Sequence, residues 1–538
     1  MINVIDKDKC TGCGTCFKSC SLDVFRIDTD QDSRSPCMAA CPAGTDIRGY
    51  NALVQQGRLE EAAHVLLQKN PFPAVTGRVC FRPCEKQCAR NNVDDAVNIN
   101  ALEQFLGDLP VAEEAPAIRH VARVGVIGSG PAGLSCAWYL ARMGYAVTVF
   151  EEQAQPGGML RYGIPAYRLP DAIIERQVRR LEAAGVRFSC STKVGKGGDV
   201  SLETLRMRGY KAFLLAPGAS LSRKISVPGI ELPGVLWGVE FLRAVRGDTP
   251  PALHGKVVVV GGGDVAIDTA ISAKRLGADS VCMVALESEA ELPAYPHNQA
   301  DAREEGIVMH CGWGPVRVEG EAAVRGLTVQ RCLAVRDAQG AFCPSFDSGQ
   351  TMTLEADTII LAIGQTPELL PFDDEISVTR RNTIETQPVT FATSGRDIFA
   401  AGDAATGPAS VIQAIAGGRE AAFSIDRLLR GAQLEADRAV LPPLVENLPG
   451  EGIMQLPRNA RPRREAAAFE EHKGGLTVDG ALAEGMRCMT CGAKARIAYN
   501  DDCMTCYTCE LRCPSGAIDV HPFKEPLPRT LEISCEER

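Results

Sequence analysis

The chain has 538 residues and a formal net charge of −10. That length exceeds what one core supports and points to about three or four domains. The negative balance argues against nonspecific nucleic-acid binding and against a role on a membrane surface.

MINVIDKDKC lacks a basic stretch followed by an apolar core, so it does not read as a signal peptide. The apolar runs around Val126 and Val260 are short and interrupted by Gly and Pro, so no membrane span is expected. The expected location is the cytoplasm. Of the 22 cysteines, nine lie between Cys10 and Cys88 and six between Cys488 and Cys513. In a long chain without a secretory leader, such clusters read as metal sites rather than disulfides.

Residues 1–30 form a small Cys-rich module, and residues 31–115 a second one with helical character. GRLEEAAHVLL (57–67) and NALEQFL (100–106) place apolar residues at helical spacing. From 116–120 the pattern changes to alternating strands and helices. An apolar strand at 121–127 leads through a Gly-rich turn into a helix from about 132 to 143, and the next strand covers 146–151. The same plan recurs at 256–285, so two nucleotide-binding lobes are expected. Residues 371–434 return to the first lobe. Residues 435–480, rich in Pro and charge, read as a surface linker. Residues 481–538 form the last Cys-rich module.

The first Gly-rich turn is Gly128-Ser129-Gly130-Pro131-Ala132-Gly133. Gly128 makes the tight turn, Gly130 lets the backbone approach a pyrophosphate, and Gly133 lets helix and strand pack closely. Glu151, ending the next strand, is placed to accept hydrogen bonds from ribose hydroxyls. The second turn is Gly261-Gly262-Gly263-Asp264-Val265-Ala266, with Ala266 in place of the third glycine. Gly402-Asp403, in DIFAAGDAA, resembles the segment of two-dinucleotide flavoproteins in which the Asp contacts the ribityl chain of FAD. On that resemblance 116–250 is the FAD-binding lobe, and 251–370 is a nicotinamide lobe inserted into it.

Cys10, Cys13, Cys16 and Cys20 have C-x2-C-x2-C-x3-C spacing, and so do Cys503, Cys506, Cys509 and Cys513. This is the bacterial ferredoxin run, in which three thiolates hold one [4Fe–4S] cluster and the fourth serves its neighbour. Zinc sites favour two separated pairs. The two runs are expected to combine as one split ferredoxin. Cys10, Cys13, Cys16 and Cys513 would hold one cluster, and Cys503, Cys506, Cys509 and Cys20 the other. The alternative is that each half pairs elsewhere.

PGGMLRYGIPAYRLP (156–170), NPFPAVTGRVCFRPCEKQC (70–88) and VVGGGDVAIDTA (259–270) resemble the glutamate synthase small subunit family. That family includes the FAD arm of dihydropyrimidine dehydrogenase and the large subunit of the NADH-dependent ferredoxin:NADP oxidoreductase. The resemblance covers about residues 35–430 and places Gly158 among the cofactor-binding residues. It implies that Cys41, Cys80, Cys84 and Glu103 hold one cluster and leaves Cys37 and Cys88 as half of another. Met486-Arg487-Cys488-Met489-Thr490-Cys491 looks like the lead-in to that second site. With Cys488 and Cys491 the chain would hold four [4Fe–4S] clusters; without them, three.

NADPH-using members carry a Tyr-Arg-Arg segment where this chain has Ala285-Leu286-Glu287. A carboxylate there repels a 2′-phosphate and suits a 2′-hydroxyl, so NAD(H) is favoured over NADP(H). The expected fold class is α/β: two Rossmann-like lobes of a two-dinucleotide-binding flavoprotein, a helical Fe–S domain and a split ferredoxin-like domain. The expected function is electron transfer between NAD(H), FAD and the clusters. Electrons would pass through the cluster at Glu103, its neighbour and the ferredoxin pair, and no acid–base catalytic residue is assigned. The partner would be a 2-oxoacid:ferredoxin oxidoreductase or another low-potential oxidoreductase. The alternatives are a free-standing NADH:ferredoxin oxidoreductase serving soluble ferredoxin, a glutamate synthase small subunit, and flavin-based bifurcation. A non-catalytic scaffold would need dead dinucleotide motifs.

Overall fold

The structure, a computed structural model, describes residues 2–22, 24–112, 116–247, 249–436, 438, 441–463 and 468–521. The end of the last Cys-rich module, with Cys535, lies outside the described residues, as do 437, 439–440 and 464–467 of the expected linker. Two compact units result: residues 1–112, 437–462 and 474–538 form one, and residues 113–436 with 463–473 the other.

The second unit holds two parallel sheets. One runs in the order Ile398–Ala400, Tyr210–Leu215, Arg123–Ile127, Ala146–Phe150, Arg187–Ser189. Its central strand RVGVI is buried past its first residue, as a parallel strand covered on both faces must be. The helices Pro131–Arg142 and Val411–Leu429 lie so close that a Cβ on Gly418 would sit 2.1 Å from the Ala132 carbonyl oxygen. The other sheet runs Val308–Cys311, Ser280–Ala285, Lys256–Val260, Thr358–Leu361, Val235–Trp237.

The chain passes between the two lobes through Leu221–Ser222 and Gln365–Thr366, which pair antiparallel. This differs from the boundary expected at 250. Val235–Trp237 is an edge strand of the second sheet, and Phe241, Leu242 and Val245 from the helix after it fill the same core as Val257 and Ile271. A three-residue strand is too short to register as a hydrophobic period. The second lobe also carries an antiparallel sheet of Trp313–Gly320, Val324–Arg336 and Phe342–Glu355. Val318, Leu327 and Val329 from it pack on Val258 and Val284.

In the first unit the two termini interlock. Ile2–Ile5 pairs antiparallel with Ile518–His521, and Phe25–Asp28 with Lys494–Ile497. The strand before Cys10 thus pairs with the strand after Cys513, and the strand after Cys20 pairs with the one before Cys503. The two Cys-rich ends of the chain are thus joined by two pairs of strands. The helices Ile47–Gln55, Leu59–Lys69 and Ile99–Asp108 build a core that also takes Leu476 and Ala481, beside and on the helix Val478–Arg487, and Pro73–Val79 packs closely on Ile99–Asp108, where a Cβ on Gly107 would lie 2.3 Å from Ala74 N.

The region 441–462, expected as part of a surface linker, is built into this unit. Arg487, only 1% exposed, uses all five of its N–H groups. Nε donates to Leu456 O at 3.1 Å, Nη1 to Ala96 O at 3.0 Å and Glu484 Oε1 at 2.8 Å, and Nη2 to Asp94 Oδ1 at 2.8 Å and Asp95 O at 2.6 Å. Glu484 in turn accepts from Asn98 N at 2.7 Å, Asn459 N at 2.7 Å and Asn459 Nδ2 at 3.0 Å. Removing one member of a buried ion network strands the others. Arg487→Met should therefore destabilise this unit by about 3–5 kcal/mol. Calorimetry should show one thermal transition moving to lower temperature while the transition of the dinucleotide lobes stays in place.

Candidate functional site

A long cleft in the second unit is lined by Gly128, Gly130, Glu151, Gly158, Gly402 and Asp403, and extends to Val265 and Asp268 of the other lobe. The first turn closes as its glycines require. Gly128 has φ +97°, and a Cβ on Gly133 would meet Gly128 O at 2.0 Å. A Cβ on Gly130 would meet nothing, so the backbone there faces open space at the start of the helix Pro131–Arg142. These features fit a pyrophosphate at a helix N-terminus.

Glu151 is more occupied than its position in sequence shows. Oε2 accepts from Ser129 N at 3.0 Å and Ser129 Oγ at 2.5 Å, and Oε1 from Gln153 N at 2.9 Å. The carboxylate therefore braces the glycine turn, leaving about one acceptor position for a ribose hydroxyl. Ser129 Oγ also accepts from Gly157 N at 2.9 Å, which ties the turn to the loop carrying Gly158.

In the second lobe a Cβ on Gly261 would come 2.3 Å from Ala362 O and 3.1 Å from the Cβ of Ala266. Gly263 is open at the start of the helix Asp264–Arg275. Glu287 stands beside this turn, its Oε2 2.8 Å from where a Cβ on Gly262 would lie. Sequence reasoning missed a buried ion pair at the cleft: Arg168 Nη1 donates to Asp268 Oδ2 at 2.6 Å. It ties the loop of residues 156–170 to the helix of the other lobe. The signal was a single charge inside each of two otherwise apolar motif segments, AYRLP and VAIDTA.

The cysteines of the first unit fall into four groups. Burial above all, then Cys13, Cys10 and Cys513, pushes the Cys16 thiol up to about 12. Cys20, Cys503, Cys506 and Cys509 line one small cavity, and Cys37, Cys88, Cys488 and Cys491 another. Cys80 is pushed up to about 12 by burial, then by Glu103 and Cys41, and Cys84 is raised by burial, then by Glu103, Glu85, Cys80 and Cys41. Glu103 is 5% exposed, and burial raises its carboxyl to about 8. The structure thus brings the two ends of the chain together at three of the four groups.

All described cysteines are free thiols, and among the described residues no three donors close on a single metal ion. Thiols crowded in threes and fours, most of them buried or half-buried and none in a disulfide, fit a larger multi-iron group whose charge favours the thiolates. Backbone N–H groups already point at several sulfurs, from Ala495 to Cys10 at 3.4 Å, Ala517 to Cys513 at 3.3 Å and Thr490 to Cys488 at 3.4 Å. Cys136, outside these groups, is fully buried in the core of the first lobe, and Cys343 is exposed.

Residues 122–418 match the pyridine nucleotide-disulphide oxidoreductase family, 31–115 match the dihydropyrimidine dehydrogenase domain II with its 4Fe-4S cluster, and 3–25 match a 4Fe-4S binding domain. The chain belongs to the pyridine nucleotide-disulphide oxidoreductase family. It is an NAD(P)H-dependent iron–sulfur flavoprotein oxidoreductase. The chain is 36% identical to the beta subunit of the NADP(+)-dependent formate dehydrogenase of Moorella thermoacetica, over 85% of this chain and 70% of that one. It is 36% identical to the small chain of Azospirillum brasilense glutamate synthase [NADPH], over 75% and 88%. It is also 35% identical to the PreT subunit of the NAD-dependent dihydropyrimidine dehydrogenase of Escherichia coli O157:H7, over 74% and 92%. Among the described residues no helix is long and apolar enough to cross a membrane.

Asp403 opens a short helix at the cleft and accepts from Ala409 N at 3.1 Å. Burial still pushes its carboxyl up to about 6. Because this lies above the ordinary value, ionisation opposes folding above pH 6, and the opposition fades as pH falls toward the unfolded value. In flavin-free protein, Asp403→Asn should stabilise by about 2–3 kcal/mol near pH 8, and by less near pH 5. An equal gain at both values in thermal melts would contradict this account.

Proposed function

We propose that the chain is an electron-transfer subunit. It passes electrons between NAD(H), FAD and four [4Fe–4S] clusters, to or from a partner oxidoreductase of low potential. The observation that carries this reading is the meeting of Cys488 and Cys491 with Cys37 and Cys88 around one cavity. It supplies the missing half of a site that residues 31–115 leave incomplete.

FAD, when bound, exchanges a hydride with a nicotinamide and single electrons with iron–sulfur clusters. The chain's own residues divide the binding. Gly128, Gly130 and the helix that follows would hold the FAD pyrophosphate, Asp403 the ribityl chain, and Gly261, Gly263 and Ala266 the nicotinamide dinucleotide. The cysteine groups also stand in an order. Tyr50 shares a core with Cys84, against which Cys41 and Cys37 pack, and Lys18, on the helix that carries Cys16, donates to the Cys488 carbonyl at 2.6 Å. The two ferredoxin groups share one core. A file of four neighbouring sites supports a conduit rather than a store of electrons.

The partner reading is supported by relatives whose names are those of subunits, among them a formate dehydrogenase beta subunit. A 2-oxoacid:ferredoxin oxidoreductase is one partner of suitable potential. Stoichiometric co-purification at high salt supports a subunit, whereas a chain that purifies alone and reduces soluble ferredoxin is free-standing.

Anaerobic protein should contain about sixteen iron and sixteen sulfide per FAD. About twelve would mean that the group of Cys37, Cys88, Cys488 and Cys491 holds no cluster. In a titration followed in the visible range, NADH should bleach flavin and clusters, and NADPH should not. The preference rests on Glu287, whose charge would repel a 2′-phosphate. Glu287→Gln should raise kcat/KM for NADPH by about an order of magnitude and leave that for NADH within a few-fold. Equal use of both cofactors by the unaltered protein would refute the preference.

A further inference from the structure

Tyr50 lies on the helix Ile47–Gln55, in the core of the first unit with Leu102, Phe105 and Cys84. Its side chain is 0% exposed, and its hydroxyl has no hydrogen-bond partner among the described residues. A buried O–H without an acceptor is costly, and buried phenols almost always find one. Phe72 and Phe105 fill aromatic positions in the same unit without that cost. A phenylalanine at position 50 would fill the same space, so the hydroxyl needs a reason.

The ionisable groups that face the phenol supply one. They are Glu103, Cys84, Cys37 and Cys41, in falling order of influence. Three of them belong to the group of Cys41, Cys80, Cys84 and Glu103, and the fourth to its neighbour. Cys84 shares a core with the ring, and Cys37 and Cys41 pack against that core, so the ring stands beside both cysteine groups. The geometry points to Tyr50 as a hydrogen-bond donor to the cluster held by Cys41, Cys80, Cys84 and Glu103. This rests on the cluster assignment proposed above.

Tyr50 is on this account a positioning residue that tunes a potential. Adding an electron to a cluster increases its negative charge, so a hydrogen bond from a neutral donor strengthens on reduction and raises the potential. A carboxylate is a harder ligand than a thiolate, so the cluster with Glu103 differs in potential from an all-thiolate one. The phenol adds a hydrogen-bonding control on the same site. The hydroxyl needs no ionisation for this, and burial holds it neutral.

The test uses the full chain, purified anaerobically, and the variant Tyr50→Phe, which keeps the ring. Iron, sulfide and flavin are measured first, then cluster midpoints by EPR-monitored redox titration. Exchangeable-proton couplings are recorded by ENDOR after exchange into D2O. The variant should keep the iron-to-flavin ratio of the parent. One cluster should shift to a more negative midpoint while the others hold. One exchangeable-proton coupling seen in the parent should be missing. Full iron with unchanged midpoints would overturn the assignment. So would iron loss from the variant, which would make the hydroxyl a structural prop. An unaltered protein short of iron would show instead that the four-cluster reading fails, and the iron count separates the two failures.

Discussion

A single buried guanidinium holds the first unit together. Arg487 places its five donors on residues 94–96, 456 and 484, three stretches that lie far apart in the chain. Its own carbonyl accepts from Arg90 Nη1 at 3.0 Å. Arg90 is bound to Asp94 and donates to Met454 O at 2.9 Å. Burying such charges is expensive, and the expense is recovered only if every donor and acceptor is matched. Such a network tolerates one arrangement, and that arrangement delivers Cys488, the next residue, to Cys88 and Cys37. Gln55 Nε2 and Lys18 Nζ then close on the Cys488 carbonyl at 2.8 and 2.6 Å. A neutral apolar contact would hold the segments as firmly but would not fix their register.

The ferredoxin halves are locked to the same loop. Thr490 Oγ1 donates to Gly12 O at 2.5 Å, and a Cβ on Gly12 would strike the Ala493 carbonyl oxygen at 2.1 Å. Backbone thus packs directly on backbone between Cys10 and Cys491. Burial pushes the Cys16, Cys37, Cys488 and Cys491 thiols up, so a metal group bound there would release protons on loading, and loading would be coupled to pH and to the closing of the fold. Because three of the four groups draw on both ends of the chain, clusters bound there would make cluster assembly and the joining of those ends one event in energetic terms.

In the dinucleotide unit the same economy of matched charges operates on a smaller scale. Glu151 holds the glycine turn from behind, and the Arg168–Asp268 pair spans the two lobes. Arg275 lies over the Tyr167 ring at 4.1 Å and donates to Ala468 O at 2.6 Å. Phe469 and His472 approach the other sides of that ring. Residues 468–473 therefore pin the loop that precedes Arg168. Among the described residues the chain crosses between the two lobes at two short paired strands, and these side-chain contacts add to that connection in shaping the cleft.

Local patterns were legible from the sequence. The glycine turns, the cysteine runs and the apolar strands each need only a few neighbouring residues, because turn geometry, ligand spacing and strand burial are short-range constraints. The sequence by itself therefore determined the α/β class, the two dinucleotide lobes and the family. It could not determine that Val235–Trp237 crosses to the second sheet, that Glu151 is spent on Ser129, or that Tyr50 is left without a partner. Each of these depends on what long-range packing brings against the residue. The pairing of Ile2–Ile5 with Ile518–His521, and the meeting of Cys37 with Cys491, are likewise decisions of the tertiary structure. Spacing says how many cysteines a segment can offer, but only the matched burial of Arg487 and its partners decides which distant segment comes to stand beside them.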